Sequence, residues 1–274
     1  MRTNRMFWAI LLVGLGFLFL ANNLGLMSIN IWSMIWPAFL ILLGISFLLG
    51  SSRGSAEMVL EEGTVPLDGA EGAKVIVKHG AGKLTVDSSA ESGALASGTF
   101  ANGLDARVKR DGNQLDVVMK PKSPIFPDVM FPWNWTTGGG LQWDFGFTRD
   151  IPLNLIFETG AVEAYMDLTN LQVKELKLKT GASSTNLTLP AGAGFTRVKI
   201  EAGAASVKIH IPEGVAARVE AEAGAEVGFT LTSLSVDQNR FPKVNDYYQS
   251  AEYDSAENKV EIRIESGLGS IEIH

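Results

Sequence analysis

Three histidines, two adjacent serines, a few carboxylates and two glycine clusters are the residues whose chemistry needs testing first. His79, His210 and His274 could be imagined as a metal set, but no ligand spacing links them. His79 adjoins Gly80, His210 alternates outward between Ile209 and Ile211, and His274 ends the sequence. All three are expected as solvated strand residues. Ser183 and Ser184 follow a Gly-Ala pair, whereas a nucleophile elbow needs a strand-to-helix turn with a base nearby. Gly80-Ala81-Gly82 and Gly138-Gly139-Gly140 suggest phosphate loops only if a helix follows, and neither precedes one. Asp167, Glu201, Glu220 and Glu222 are scattered along alternating segments, as solvent-face decoration would be. A glycosidase would instead place paired carboxylates on one groove. No catalytic, cofactor or metal site is expected.

A different chemistry is offered by residues 122–140, KSPIFPDVMFPWNWTTGGG. Phe126, Met130, Phe131, Trp133 and Trp135 are candidates to dock a partner or a membrane surface, with Lys120 and Lys122 nearby to favour an anionic leaflet. The alternative is a loop folded back as a cap over the end of the domain.

The elements around these residues divide the chain in two. Residues 6–21 and 31–49 are uncharged and apolar, separated by the polar turn NNLGLMSIN. A membrane-spanning helix needs about 20 apolar residues. The two stretches predict a helical hairpin over residues 1–50, kinked near Pro37, with Trp8, Trp32 and Trp36 at the interfaces. Arg2, Arg5 and Arg53 flank it and the turn is uncharged, so both ends are expected in the cytoplasm. Two other readings stay open. A cleaved signal peptide would leave residues 31–49 to stop transfer. A single span would put the C-terminal part outside.

From Gly54 onward apolar runs become short, alternating and β-branched, which is strand chemistry. Gly160, Gly181, Gly203, Gly224 and Gly267 recur at spacings of 21, 22, 21 and 43, the last near two periods, and alanine follows the first four. Each unit reads as a strand, a Gly-Ala corner and a second strand, as in Val198-x-Ile200, Gly203, Val207-x-Ile209. Val75-x-Val77, Gly80 and Leu84-x-Val86 follow the same plan earlier. One such rung cannot bury its own apolar face, so rungs must stack. Gly80, Gly160, Gly181, Gly203, Gly224 and Gly267 are the expected corners, placed where a side chain would clash or φ must be positive. The segmentation is 1–50 hairpin, 51–73 linker and first strand, and 74–274 β-repeat domain with insertions near 122–140 and 237–256.

Outside residues 1–50 the chain holds 21 basic and 30 acidic residues, a net −9. That balance argues against nucleic acid as a partner. With no cysteine there are no disulfides or thiolate metal sites.

Residues 12–50 resemble the LiaI/LiaF-type transmembrane region, through Gly14 and Gly16, the Leu20 to Leu26 turn, Trp36-Pro37 and Leu42-Leu43-Gly44. Residues 74–274 resemble the toast-rack and adhesin-like β-repeat domains often fused to that hairpin. The matching features are Val77 to Val86, Trp143 before Ile151-Pro152-Leu153-Asn154-Leu155, Asp167-Leu168 and the Gly-Ala corners. The resemblance implies a bacterial or archaeal cytoplasmic-membrane protein, some of whose relatives act in envelope-stress sensing on a membrane histidine kinase.

The expectation is therefore an all-β, solenoid-like (β-helix or toast-rack) repeat domain behind a two-helix transmembrane hairpin. Its partners would be the bilayer through residues 6–49 and a sensor kinase or other envelope protein, with homo-oligomers possible. The expected function is a non-enzymatic interaction module. A self-assembling β-solenoid scaffold at the membrane, an externally facing adhesin-like binding domain, and an enzyme or carbohydrate-binding module using a β-helix face are the alternatives.

Overall fold

The computed structural model of the chain describes residues 60–122, 141–223 and 231–274. The expected hairpin of residues 1–50 lies outside them. Among the described residues every regular element is a strand, and no helix is long and apolar enough to cross a membrane.

The domain is a stack of bent parallel rungs. Four rungs are unbroken strands that cross their own corner: β2 (Gly72–Asp87), β7 (Leu153–Asp167), β10 (Phe195–His210) and β15 (Lys259–Ile273). Others are split at the corner into two shorter strands. They are β5 (Gln114–Pro121) with β6 (Leu141–Phe147), β8 (Val173–Thr180) with β9 (Ser184–Thr188), and β11 (Ala216–Ala223) with β12 (Leu231–Val236). β5 lies parallel to the first arm of β2 and β6 to its second arm. β5 ends at Pro121 and β6 begins at Leu141, so the aromatic segment of 122–140 separates the two halves of this rung in sequence.

Spatial order departs from chain order at one place. The stack runs β5/β6, β2, β7, β8/β9, β10, β15 and then β11/β12. The rung expected as last in the series, around Gly267, is thus inserted between its two predecessors. Its neighbours are Val198 and Val219 on either side of Ile262, in register throughout. Residues 237–256 carry the chain out and back to make this insertion possible. They hold a short hairpin, β13 (Lys243–Val244) and β14 (Tyr247–Gln249), and β14 pairs antiparallel with β11. Buried Phe241 and Tyr253 anchor the excursion. The Arg240 guanidinium donates to the carbonyls of Ile211 and Pro212 at 2.9 and 3.2 Å. What reads as polar in sequence is a pinned cap.

Period-2 alternation decides which side chains face in. On the first arm one inward row runs Val117, Val75, Leu155, Leu176, Val198, Ile262, Val219 across the stack. On the second arm another runs Phe145, Val86, Met166, Leu187, Ile209, Ile273, Val236. All but Val236 are buried, so the core is continuous along the stack. The β5/β6 end is covered by antiparallel strands: β1 (Leu60–Pro66) on β3 (Ala94–Ala101), β3 on β6, and β4 (Leu104–Asp111) on β5. There Trp143 stands edge-on to Phe100 at 5.0 Å and donates its indole N–H to Ala101 O.

Candidate functional site

The corners form a straight row. Gly80, Gly160, Gly181, Gly203 and Gly267 lie side by side across successive rungs, as the registers of their flanking residues require. Close approach, not backbone handedness, demands glycine here. A Cβ at Gly160 would come within 2.3 Å of the Gly80 carbonyl oxygen. At Gly181, Gly203 and Gly267 it would meet the preceding glycine's carbonyl at 3.1, 3.2 and 3.1 Å. None of these four has a positive φ, which the sequence had left as the alternative reason. Gly224 lies outside the described residues.

Along this row runs a groove of about 1140 Å³. Corner residues Gly80, Ala81, Gly160 and Gly203 line it, together with His79, Thr159, Thr180 and Ala202 of the inward row and an outward row of charges. The Thr159 hydroxyl donates to Thr180 Oγ1 at 3.0 Å, and Thr180 to Ser183 Oγ at 2.6 Å. Ser183 is thus engaged in the corner.

The charged row reads Lys78, Glu158, Lys179, Glu201, Glu265 across the rungs. Each charge finds a counter-charge. Lys78 reaches Glu158 at 2.9 Å, and Glu201 gathers Lys177 at 2.6 Å, Lys199 at 3.1 Å and Lys179 at 3.8 Å. Lys199 also bridges to Glu265 at 2.8 Å. At the β5 end Lys120 pairs with Asp105 at 3.2 Å and Lys122 with Glu61. The Lys177 hydrogen bond, then that from Lys199, holds the Glu201 carboxyl below the usual carboxylate range despite some desolvation. Hydrogen bonds to Glu265 and Glu201 raise the Lys199 ammonium. Both shifts move away from neutrality, the wrong direction for proton transfer at pH 7.

The remaining site residues separate. His79, expected in solvent, is buried at 1% exposure with its ring 5.2 Å from that of Trp143. Its parity with Val75 and Val77 was the available signal, since all three point inward on one arm. His210 is exposed as expected, and so is His274. Their rings stand 5.1 Å apart because β15 lies beside β10, a pairing that spacing in sequence does not carry. No group of three or more His, Asp or Glu side chains placed to hold a metal occurs among the described residues. Asp167 is exposed, Glu201 and Glu220 half-buried; the Glu222 side chain lies outside the described set. So do Phe126, Met130, Phe131, Trp133 and Trp135, which remain candidates on sequence alone. Sequence reasoning missed the cross-rung ion pairs, whose partners are 20 or more residues apart.

Comparison with known proteins fits this architecture. Residues 6–48 match the LiaI-LiaF-like transmembrane region, which points to association with a membrane. A crystal structure of a candidate cell adhesion protein from Clostridium sporogenes superposes with a TM-score of 0.66 at 21% identity, covering 79% of this chain and 99% of that one. At that identity the likeness shows the fold alone. No curated protein matches the chain. Residues 54–210 match the model of the N-terminal domain of toast_rack, DUF2154, more than half of the sequence, and the chain belongs to that family.

Proposed function

We propose that the protein is a non-enzymatic interaction module, anchored in the cell membrane by two helices, that regulates an envelope-stress response through protein–protein contact. The observation that carries this reading is the union of a LiaI-LiaF-like membrane region with a toast-rack domain in one chain. The ion-paired groove supports it. Its charges are mutually neutralised, so it lacks the single-sign field that a polyanion would need, and it offers a rigid, patterned surface to a protein. The flanking charges Arg2, Arg5 and Arg53 support a cytoplasmic β domain, the side on which a sensor kinase carries its catalytic part.

Two measurements test the proposal together. A fluorescent reporter fused after His274 should be active and an exported phosphatase at the same position inactive. A photo-crosslinker placed at Glu158 in the groove should capture a membrane histidine kinase, and the double charge reversal Lys78→Glu with Lys179→Glu should abolish the adduct. An active exported phosphatase would overturn the orientation. Capture unchanged by the reversal would overturn the groove as contact surface.

A further inference from the structure

The stack has two ends, and they are finished differently. At the β5/β6 end the edge strands carry charge: Glu61 and Glu62 on β1, and Asp105, Arg107, Lys109, Arg110 and Asp111 on β4. At the other end the cap pairs with β11 only, over Arg218 to Glu220, and its own edge strand β13 carries Lys243. β12, LTSLSV, pairs with β15 on one side and with no strand among the described residues on the other. It is the one described edge strand without a charge or a proline, the residues that ordinarily block edge-to-edge pairing.

We propose that β12 is the docking edge for a second copy of this chain, the two β12 strands pairing antiparallel about a two-fold axis through Leu234. The geometry sets the register. The Asp237 N–H donates to Ile273 O on β15. Successive backbone groups of an extended strand alternate sides, so the N–H and C=O of Thr232, Leu234 and Val236 point to the open edge. Leu234 and Val236 pack against the core, while Ser233 and Ser235 are exposed. Opposed residues of a ladder share a face, so apolar must meet apolar. Setting Leu234 opposite its symmetry mate keeps core-side positions opposite core-side positions: Leu234 meets its own copy, position 232 the partner's position 236, Ser233 the partner's Ser235, and six backbone hydrogen bonds close. A one-residue slip would oppose serine to leucine. Pairing onto β1 or β4 would instead set an uncharged strand beside charges with no counterpart. An isologous contact of this kind closes at two copies and does not grow into fibres.

The test is sedimentation equilibrium of the full chain in detergent micelles, with far-UV circular dichroism as the folding control. The wild type should be dimeric at micromolar concentration. Thr232→Pro removes a donor aimed at the open edge and leaves the β15 ladder intact, a position where an edge strand tolerates proline. It should raise the dimer dissociation constant at least tenfold. Ser233→Lys with Ser235→Lys places like charges opposite each other only across the two-fold, and should do the same without touching the fold. Ser270→Lys, on the outward face of β15 away from the edge, should remain dimeric. A monomeric wild type, or a dimer that survives both edge variants, overturns the proposal.

Discussion

Gly160→Ala is the sharpest probe of how the stack is held. The added methyl would lie 2.3 Å from the Gly80 carbonyl oxygen, about 1.1 Å inside ordinary contact. That oxygen belongs to backbone, so no side chain can swing away. β2 and β7 would have to part by roughly an ångström out of a strand spacing of about 4.8 Å, weakening ladder hydrogen bonds on both arms. Overpacking of this kind costs about 1–3 kcal/mol. Alanine recovers about 0.4–1 kcal/mol by restricting the unfolded chain, but only where the native geometry accepts it. The expected net loss is about 2 kcal/mol, or roughly 4–8 °C in Tm for a domain of this size. The control is built into the same row. A Cβ at Gly80 meets nothing within 4 Å, so Gly80→Ala should be neutral or slightly stabilising. Gly181→Ala, Gly203→Ala and Gly267→Ala, with contacts of 3.1–3.2 Å, should fall between. Thermal unfolding of the five variants in detergent, followed at the β-sheet circular dichroism band, gives the ranking. If Gly80→Ala costs as much as Gly160→Ala, close approach between rungs is not what these glycines serve.

Other outcomes follow from the packing and charges. Glu201→Gln should lower stability at neutral pH by a small amount, as a partly exposed network does. Because the folded carboxyl lies below its ordinary value, the wild-type advantage is full above that value and is lost as pH falls through the folded one. Urea midpoints of the two proteins should therefore converge on the acid side of the carboxylate range. Trp143→Ala empties a fully buried site contacting Phe100, Phe145 and His79, and should cost about 3–5 kcal/mol in the same unfolding assay. Truncation after Ala256 removes β15 from the interior of the stack, so it should abolish cooperative unfolding; trimming of a terminal rung would merely lower the midpoint.

The local plan was legible in the sequence because it rests on local physics. Alternation such as Val75-x-Val77 or Val207-x-Ile209 states that every second side chain is buried, and no packing is needed to read it. Spacings of 21 and 22 located Gly160, Gly181 and Gly203 as corners, since each rung repeats the same chain length between bends. His79 was readable by the same parity and was assigned by its neighbour Gly80 instead.

What the tertiary structure alone decided is which rung meets which. Parallel rungs with equivalent apolar rows are interchangeable as local patterns, so period gives the unit and not the order. The choice of β15 to stand between β10 and β11 is made by the cap of residues 237–256, through buried Phe241 and the β11–β14 pairing. The Lys199–Glu265 ion pair and the His210–His274 contact depend on that choice, because each joins β10 to β15.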